Sequence, residues 1–234
     1  MRINKYIANS GVASRRKADE LVKKGKVKVN GSVLVEPGYD VKPGDKVSVD
    51  GKEIGGSEEK VYYIMNKPTG VITSVSDERG RTTVVDIVTD EPNRIFPIGR
   101  LDYNTSGLLF LTNDGDLANR IMHPSHKIIK KYRVRVAGCI GKEKLSILRS
   151  GVRTREFTAS AAKVDVITWN RRSMLLEVSI HEGKNRQIRK MFEAVGYPVQ
   201  ELERISIGNI KLGHLKRGEY RKLKTGELEY LKNL

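Results

Sequence analysis

Cysteine is nearly absent: the 234 residues contain one, Cys139. A lone thiol excludes an internal disulfide and suits a reducing compartment. Cys139 lies between Gly138 and Ile140 in a strand-like stretch, so packing rather than chemistry is expected of it. No apolar run approaches the roughly 18 residues a membrane span needs. Met1-Arg2-Ile3-Asn4-Lys5 is not followed by the apolar stretch of a signal peptide. These absences predict a cytoplasmic protein with no membrane partner. Histidine is scarce too. His123, His126, His181 and His214 show no metal-ligand spacing and are joined by no acid or Cys cluster, so no metal is expected. No G-x-G-x-x-G or Walker pattern is present, and no cofactor is expected. Ser14-Arg15-Arg16-Lys17 and Lys224-Thr225-Gly226 mimic two penicillin-binding motifs, but the S-D-N element is missing.

Acid is short relative to base. There are 28 Asp and Glu against 44 Lys and Arg, a formal charge of +16. Charge does not specify a fold, but it biases the choice of partner toward a polyanion. The length fits one large domain, or a small one followed by a medium one.

The basic charge is unevenly spread. Residues 1–28 hold nine Lys/Arg and two Asp/Glu, a net of +7, whereas residues 1–60 net only +4. Ile3, Ile7 and Ala8 mark a short amphipathic helix. Ser14 can cap a second helix, in which Ala18, Leu21 and Val22 form the apolar stripe and after which Gly25 stops the chain. Arg15, Arg16 and Lys17 fall in its first turn, where they oppose the helix dipole. Nearby phosphates would explain them better than solubility does. Val27–Val29, the Asn30-Gly31 turn and Val47–Val49 read as strands and a hairpin. Ser14-Arg15-Arg16-Lys17-Ala18, Gly25 to Gly31 and Lys42-Pro43-Gly44-Asp45 together resemble the S-four-type RNA-binding domain. The resemblance implies RNA contact by Arg2, Lys5, Arg15, Arg16, Lys17, Lys23, Lys24 and Lys26.

Residues 1–55 are therefore expected to be one domain, 56–60 a Gly-rich linker, and 61–234 a second domain. In the latter, strands are expected at 61–65, 94–98, 108–111, 132–136, 174–180 and 206–212. Helices are expected at 117–122, 143–149, 185–195 and 226–231. Their irregular order predicts an α+β fold around a mixed, mainly antiparallel sheet with flanking helices, not a doubly wound parallel sheet.

Two stretches carry possible chemistry. Gly99-Arg100-Leu101-Asp102-Tyr103-Asn104-Thr105-Ser106-Gly107 lies between two apolar strands and is long for a hairpin loop. Turn chemistry alone also accounts for its Asp, Asn, Ser and Gly. In Glu182 to Phe192, Asn185 can cap a helix whose Ile188, Met191, Phe192 and Val195 form one core face. Arg189 then sits at the border of that stripe, either snorkelling or seeking a carboxylate.

With Lys131-Tyr132 between them, these stretches resemble the three motifs of pseudouridine synthases, in the expected order. The layout is similar to the ribosomal RNA branch comprising RsuA, RluB and their relatives. What the resemblance implies is an isomerase acting on a uridine of ribosomal RNA, with Asp102 catalytic. Arg189 would be its charge partner, Tyr132 would stack on the base, and Arg100 would fill the space the flipped base vacates. Lys184, Arg186 and Gln187 would contact RNA. Asn185-Arg186 stands where the small-subunit member has a Tyr-His pair, which implies a large-subunit rRNA enzyme similar to RluB. A monomer is expected. The alternatives are a small-subunit enzyme, or a non-catalytic RNA-binding or ribosome-assembly factor, against which an intact Asp102 motif argues.

Overall fold

The computed structural model describes residues 1–55 and 58–234. Part of the expected linker, residues 56 and 57, lies outside them. The chain forms two compact units. The first comprises Met1–Val61, Glu91–Ile95 and Asn113–Gly115, and the second Tyr62–Asp90, Phe96–Thr112 and Asp116–Leu234.

In the first unit, α1 (Ile3–Asn9) and α2 (Arg15–Lys23) precede β1 (Val27–Val29), β2 (Ser32–Val33), β3 (Val47–Val49) and β4 (Lys52–Ile54). The strands form an antiparallel sheet in the order β2-β1-β3-β4. Ser14 caps α2 as the sequence predicts, accepting a hydrogen bond from the Lys17 amide at 3.2 Å. Asn30 and Gly31 both have positive φ, 51° and 85°, as a two-residue hairpin turn requires. The core is aliphatic: Ile3, Ile7, Ala18, Val22, Val27, Val47 and Val49 pack together. The alternation and helical spacing thus place every apolar stripe inward and leave the Lys and Arg side chains of α2 outside.

In the second unit the elements are β5 (Tyr62–Lys67), β6 (Phe96–Ile98), β7 (Ser106–Thr112), α3 (Gly115–Met122), β8 (Lys130–Ala137), α4 (Lys142–Ser150), β9 (Lys163–Trp169), β10 (Ser173–Ile180), α5 (Gln187–Ala194), β11 (Val199–Ile207), β12 (Ile210–Lys211), β13 (Tyr220–Lys222) and α6 (Thr225–Lys232). The sheet order is β13-β5-β7-β11-β8-β10-β9, with β6 on β7 and β12 on β11. Among the described residues, β7 and β11 are the one parallel pair; the sheet is otherwise antiparallel, in agreement with the α+β expectation. All seven residues of β7, Ser-Gly-Leu-Leu-Phe-Leu-Thr, are buried. A strand with both faces covered reads as an unbroken apolar run rather than an alternation.

Several boundaries differ from the sequence reading. The strand expected at 206–212 is β11, which starts at Val199, followed by the short partner β12. Residues 201–204, Glu-Leu-Glu-Arg, are mostly charged, and the charges obscured the start of the strand. Strands β4, β9 and β13 were not expected. Cys139 is exposed beyond the end of β8, so the expectation that it packs is overturned.

Candidate active site

Strands β6 and β7 are antiparallel, with Ile98 opposite Phe110. The loop joining them carries Asp102. Its backbone is held by polar contacts from several directions. Thr73 Oγ1 donates to the Leu101 carbonyl at 2.7 Å and accepts from the Leu101 amide at 3.2 Å. The Thr105 amide closes the turn onto the Asp102 carbonyl at 3.0 Å, and Gly70 N–H bonds the Tyr103 carbonyl at 2.9 Å. Beneath the loop lies Lys67, the last residue of β5 and fully buried. Its ammonium donates to three carbonyls: Pro68 at 2.9 Å, Thr105 at 3.0 Å and Asp102 at 3.2 Å. Burial pushes the Lys67 pKa down to about 8, against the raising influence of the Asp102 charge.

The loop leads into Gly107, whose φ is +111°. A Cβ there would sit 2.3 Å from the backbone oxygen of Arg204, so this glycine permits the close approach of β7 to β11.

Arg189, on α5, reaches the same loop. Its Nη2 donates to the Asn104 carbonyl at 2.7 Å and lies 3.4 Å from Thr105 Oγ1, while Nη1 donates to the Val199 carbonyl at 3.1 Å. Burial lowers its pKa, as does Arg186, while Asp102 raises it. The expected charge partnership with Asp102 therefore takes a different form. Arg189 grips the loop backbone, and the ion-pair contact of the Asp102 carboxylate is with Arg186, at 3.9 Å. Arg186 itself sits in the left-handed region, φ 51°, ψ 31°. That conformation is uncommon for a residue with a Cβ, and it turns the chain into α5.

Asn185 does not cap α5; its Oδ1 accepts from Lys190 Nζ at 3.0 Å. Gln187 does the local work instead. Its Oε1 accepts from the Lys184 amide at 3.0 Å and its Nε2 donates to Glu182 at 2.9 Å. Gln187 is 4% exposed, which corrects the expectation that it contacts RNA: both ends of its amide are spent on holding the loop before α5. Lys184 bonds the Thr158 carbonyl at 2.8 Å, pairs with Glu182 at 3.3 Å and lies over the Phe157 ring.

One cavity of ≈ 1350 Å³ brings together Asp102, Tyr132, Arg100, Lys184 and Arg186. Tyr132, on β8, is buried, Arg100 is exposed, and the Asp102 side chain keeps 32% of its surface. Among the cations lining the cavity, Lys130, Arg204, Arg81 and Lys127 escaped the sequence reading. Lys67 escaped it too. Lys130 and Arg204 are cations on the inward face of alternating strands, and that position was the available signal; Lys67 ends a strand buried on both faces.

The expected basic surface belongs to the first unit. Arg15, Arg16, Lys17, Lys23, Lys24 and Lys26 are all exposed. Lys17 pairs with Glu20 and Lys26 with Asp50. Arg2 is tied to the Gly38 carbonyl and lies 3.8 Å from Asp40. Lys5 is partly buried in α1. Among the described residues, no group of three or more His, Cys, Asp and Glu is placed to hold a metal ion, and no helix is long and apolar enough to cross a membrane.

A partly exposed carboxylate, on a loop clamped by Lys67 and Arg189 and facing a cavity that Tyr132 lines, is an arrangement suited to nucleophilic or acid–base chemistry. Comparison with known proteins supplies the family. The RNA pseudouridylate synthase family profile matches residues 61–194, and the S4 domain profile matches residues 1–47. The chain belongs to the RNA pseudouridylate synthase family. It is 45% identical to the ribosomal large subunit pseudouridine synthase B of Bacillus subtilis, covering 100% of this chain and 96% of that one. It is 39% identical to the dual-specificity RNA pseudouridine synthase RluF of Escherichia coli, covering 97% and 77%. A crystal structure of a pseudouridylate synthase superposes with a TM-score of 0.72 at 29% identity, covering 99% of both chains.

Proposed function

We propose that this protein isomerises a uridine of large-subunit ribosomal RNA to pseudouridine, with Asp102 as the catalytic group. The observation that carries the assignment is the Asp102 loop. Its backbone is fixed from below by Lys67 and from the side by Arg189, while the carboxylate stays partly open to the cavity that Tyr132 lines. Such preorganisation holds a reacting group at one position without reorganisation during the reaction. The large-subunit substrate rests on similarity to the Bacillus subtilis enzyme.

The reaction needs the base out of its stack, at a cost of a few kcal/mol. Arg100 stands exposed on the loop two residues before Asp102, where it can enter the vacated space. The base enters the cavity against Tyr132. Asp102 either attacks the nucleoside covalently or removes a ribose proton; Arg186 lies 3.9 Å from its carboxylate and Arg189 holds the loop that carries it. After the uracil turns and rejoins through C5, the proton on C5 must leave, and the Tyr132 phenol can relay it. No metal or cofactor takes part in this scheme.

Residues 1–55 act as an RNA-binding domain, with Arg15, Arg16, Lys17, Lys23, Lys24 and Lys26 of α2 and its flank meeting phosphates. Residues 61–234 supply catalysis, and the protein works in the cytoplasm as a monomer. The test is turnover of a large-subunit rRNA fragment by purified protein in chelator. Pseudouridine at a defined position is expected. A divalent-ion requirement in the chemical step, or modification of small-subunit rRNA alone, would overturn the assignment.

A further inference from the structure

Arg204 is a buried cation without an anion. It lies on β11, is 4% exposed, and borders the same cavity as Asp102 and Tyr132. Its Nε donates to the Leu108 carbonyl at 2.7 Å, but its Nη2 is buried with no hydrogen-bond partner. Among the described residues, no carboxylate lies within ion-pair distance of it. Arg204 is directly opposite Tyr132 across the β11–β8 ladder, so the two side chains share a face of the sheet. Lys130 precedes Tyr132 by two residues on β8 and shares that face. Lys130 also borders the cavity, and among the described residues its ammonium makes only long contacts, 3.3 Å to the His181 carbonyl and 3.5 Å to that of Ile128. Burial lowers its pKa, and so does Arg204. Two neighbouring cations, one of them deeply buried, are costly in the empty site unless an anion arrives.

The reaction generates such an anion beside Tyr132. When the N1–C1′ bond breaks, its electron pair stays with the uracil, and the negative charge spreads over N1, O2 and O4. Recombination then uses the C5=C6 electron pair to form C5–C1′, C5 gives up its proton, and N1 regains one. We infer that Arg204, supported by Lys130, forms the cationic edge of the base pocket that stabilises the detached uracil anion. The inference rests on the proposed isomerase function. Neither residue transfers a proton. They act by charge and hydrogen bonding at the carbonyl edge, where preorganised donors are most effective in a dry site. This makes both residues catalytic groups in addition to Asp102 and Tyr132.

The experiment is single-turnover loss of the N-glycoside in an rRNA fragment, comparing uridine with 5-fluorouridine at the target. Fluorine stabilises the uracil anion by itself, so the enzyme's cations matter less. Arg204→Met should slow uridine about 100-fold, within the range for losing one preorganised donor. For 5-fluorouridine the loss should shrink below about tenfold. Kd and its salt dependence should match the wild type. Lys130→Met should show the same pattern with a smaller loss, about tenfold, and stands alone should Arg204→Met fail to fold. Arg204→Lys should recover part of the uridine rate. Equal losses on the two substrates, an unchanged uridine rate, or a weakened Kd with a shallower salt slope, which would mark a phosphate contact, would each overturn the inference. A wild-type enzyme that rearranges no uridine would instead count against the proposed function.

Discussion

Lys67→Met tests the loop clamp directly. Methionine keeps the unbranched stem but removes the ammonium and its three hydrogen bonds to the Pro68, Thr105 and Asp102 carbonyls. Hydrogen bonds from a charged donor contribute roughly 1.5–3 kcal/mol each. Against that stands the cost of burying the charge. The gap between the ordinary 10.5 and the folded value of about 8 corresponds to ~3 kcal/mol. The variant should therefore lose roughly 2–6 kcal/mol of stability. Activity should fall further, ~100-fold or more, because a loop displaced by about 1 Å misplaces Asp102. The pH dependence has a definite sign. Below about 8 the lysine is protonated in both folded and unfolded chains, and its full burial cost is present. Between about 8 and 10.5 the folded state sheds the proton that the unfolded state keeps, so wild-type stability gains with rising pH. Lys67→Met lacks this gain. Denaturant melts of both proteins at pH 7 and pH 9.5 isolate it, since the relief of general charge repulsion is common to both. A variant as active as wild type, or the same pH response in both proteins, would refute the reasoning.

Two other changes probe separate parts of the account. Arg15→Ala with Arg16→Ala should weaken RNA binding and lower the slope of log K against log salt by up to about two, because fewer counterions are released; an unchanged slope would remove α2 from the RNA interface. Gly107→Ala puts a Cβ 2.3 Å from the Arg204 backbone oxygen at a positive φ, so it should separate β7 from β11 and cost several kcal/mol in a denaturant melt; near-wild-type stability would contradict the close approach.

Much of the site was legible because its parts carry local signals. The Asp102 loop is too long for the hairpin it joins, and the face of α5 shows in Ile188, Met191 and Phe192. The small unit was legible for the same reason: Ser14 and Asn30-Gly31 act on their own neighbours. What escaped was set by tertiary contact. Nothing near Lys67 in the sequence says that three carbonyls surround its ammonium, since Asp102 and Thr105 come more than thirty residues later. Arg204 lies outside the strand expected at 206–212, and only the alternation on β11 turns it inward with Leu202. Asn185 met the usual preference for a helix cap, but the amide of Gln187 already holds the turn. Arg189 was placed correctly at the edge of its stripe, and only the structure shows it holding the Asn104 carbonyl rather than the Asp102 carboxylate.

Asp102→Asn tests the central claim most directly. It preserves size and the local hydrogen bonds of a turn while removing the charge, the nucleophile and the base. The account predicts RNA affinity close to wild type, since phosphate and stacking contacts dominate binding, and pseudouridine below detection in single-turnover assays. Substantial pseudouridine formation by this variant, with reversion to Asp by deamidation excluded by mass spectrometry, would contradict the assignment of Asp102 as the catalytic group.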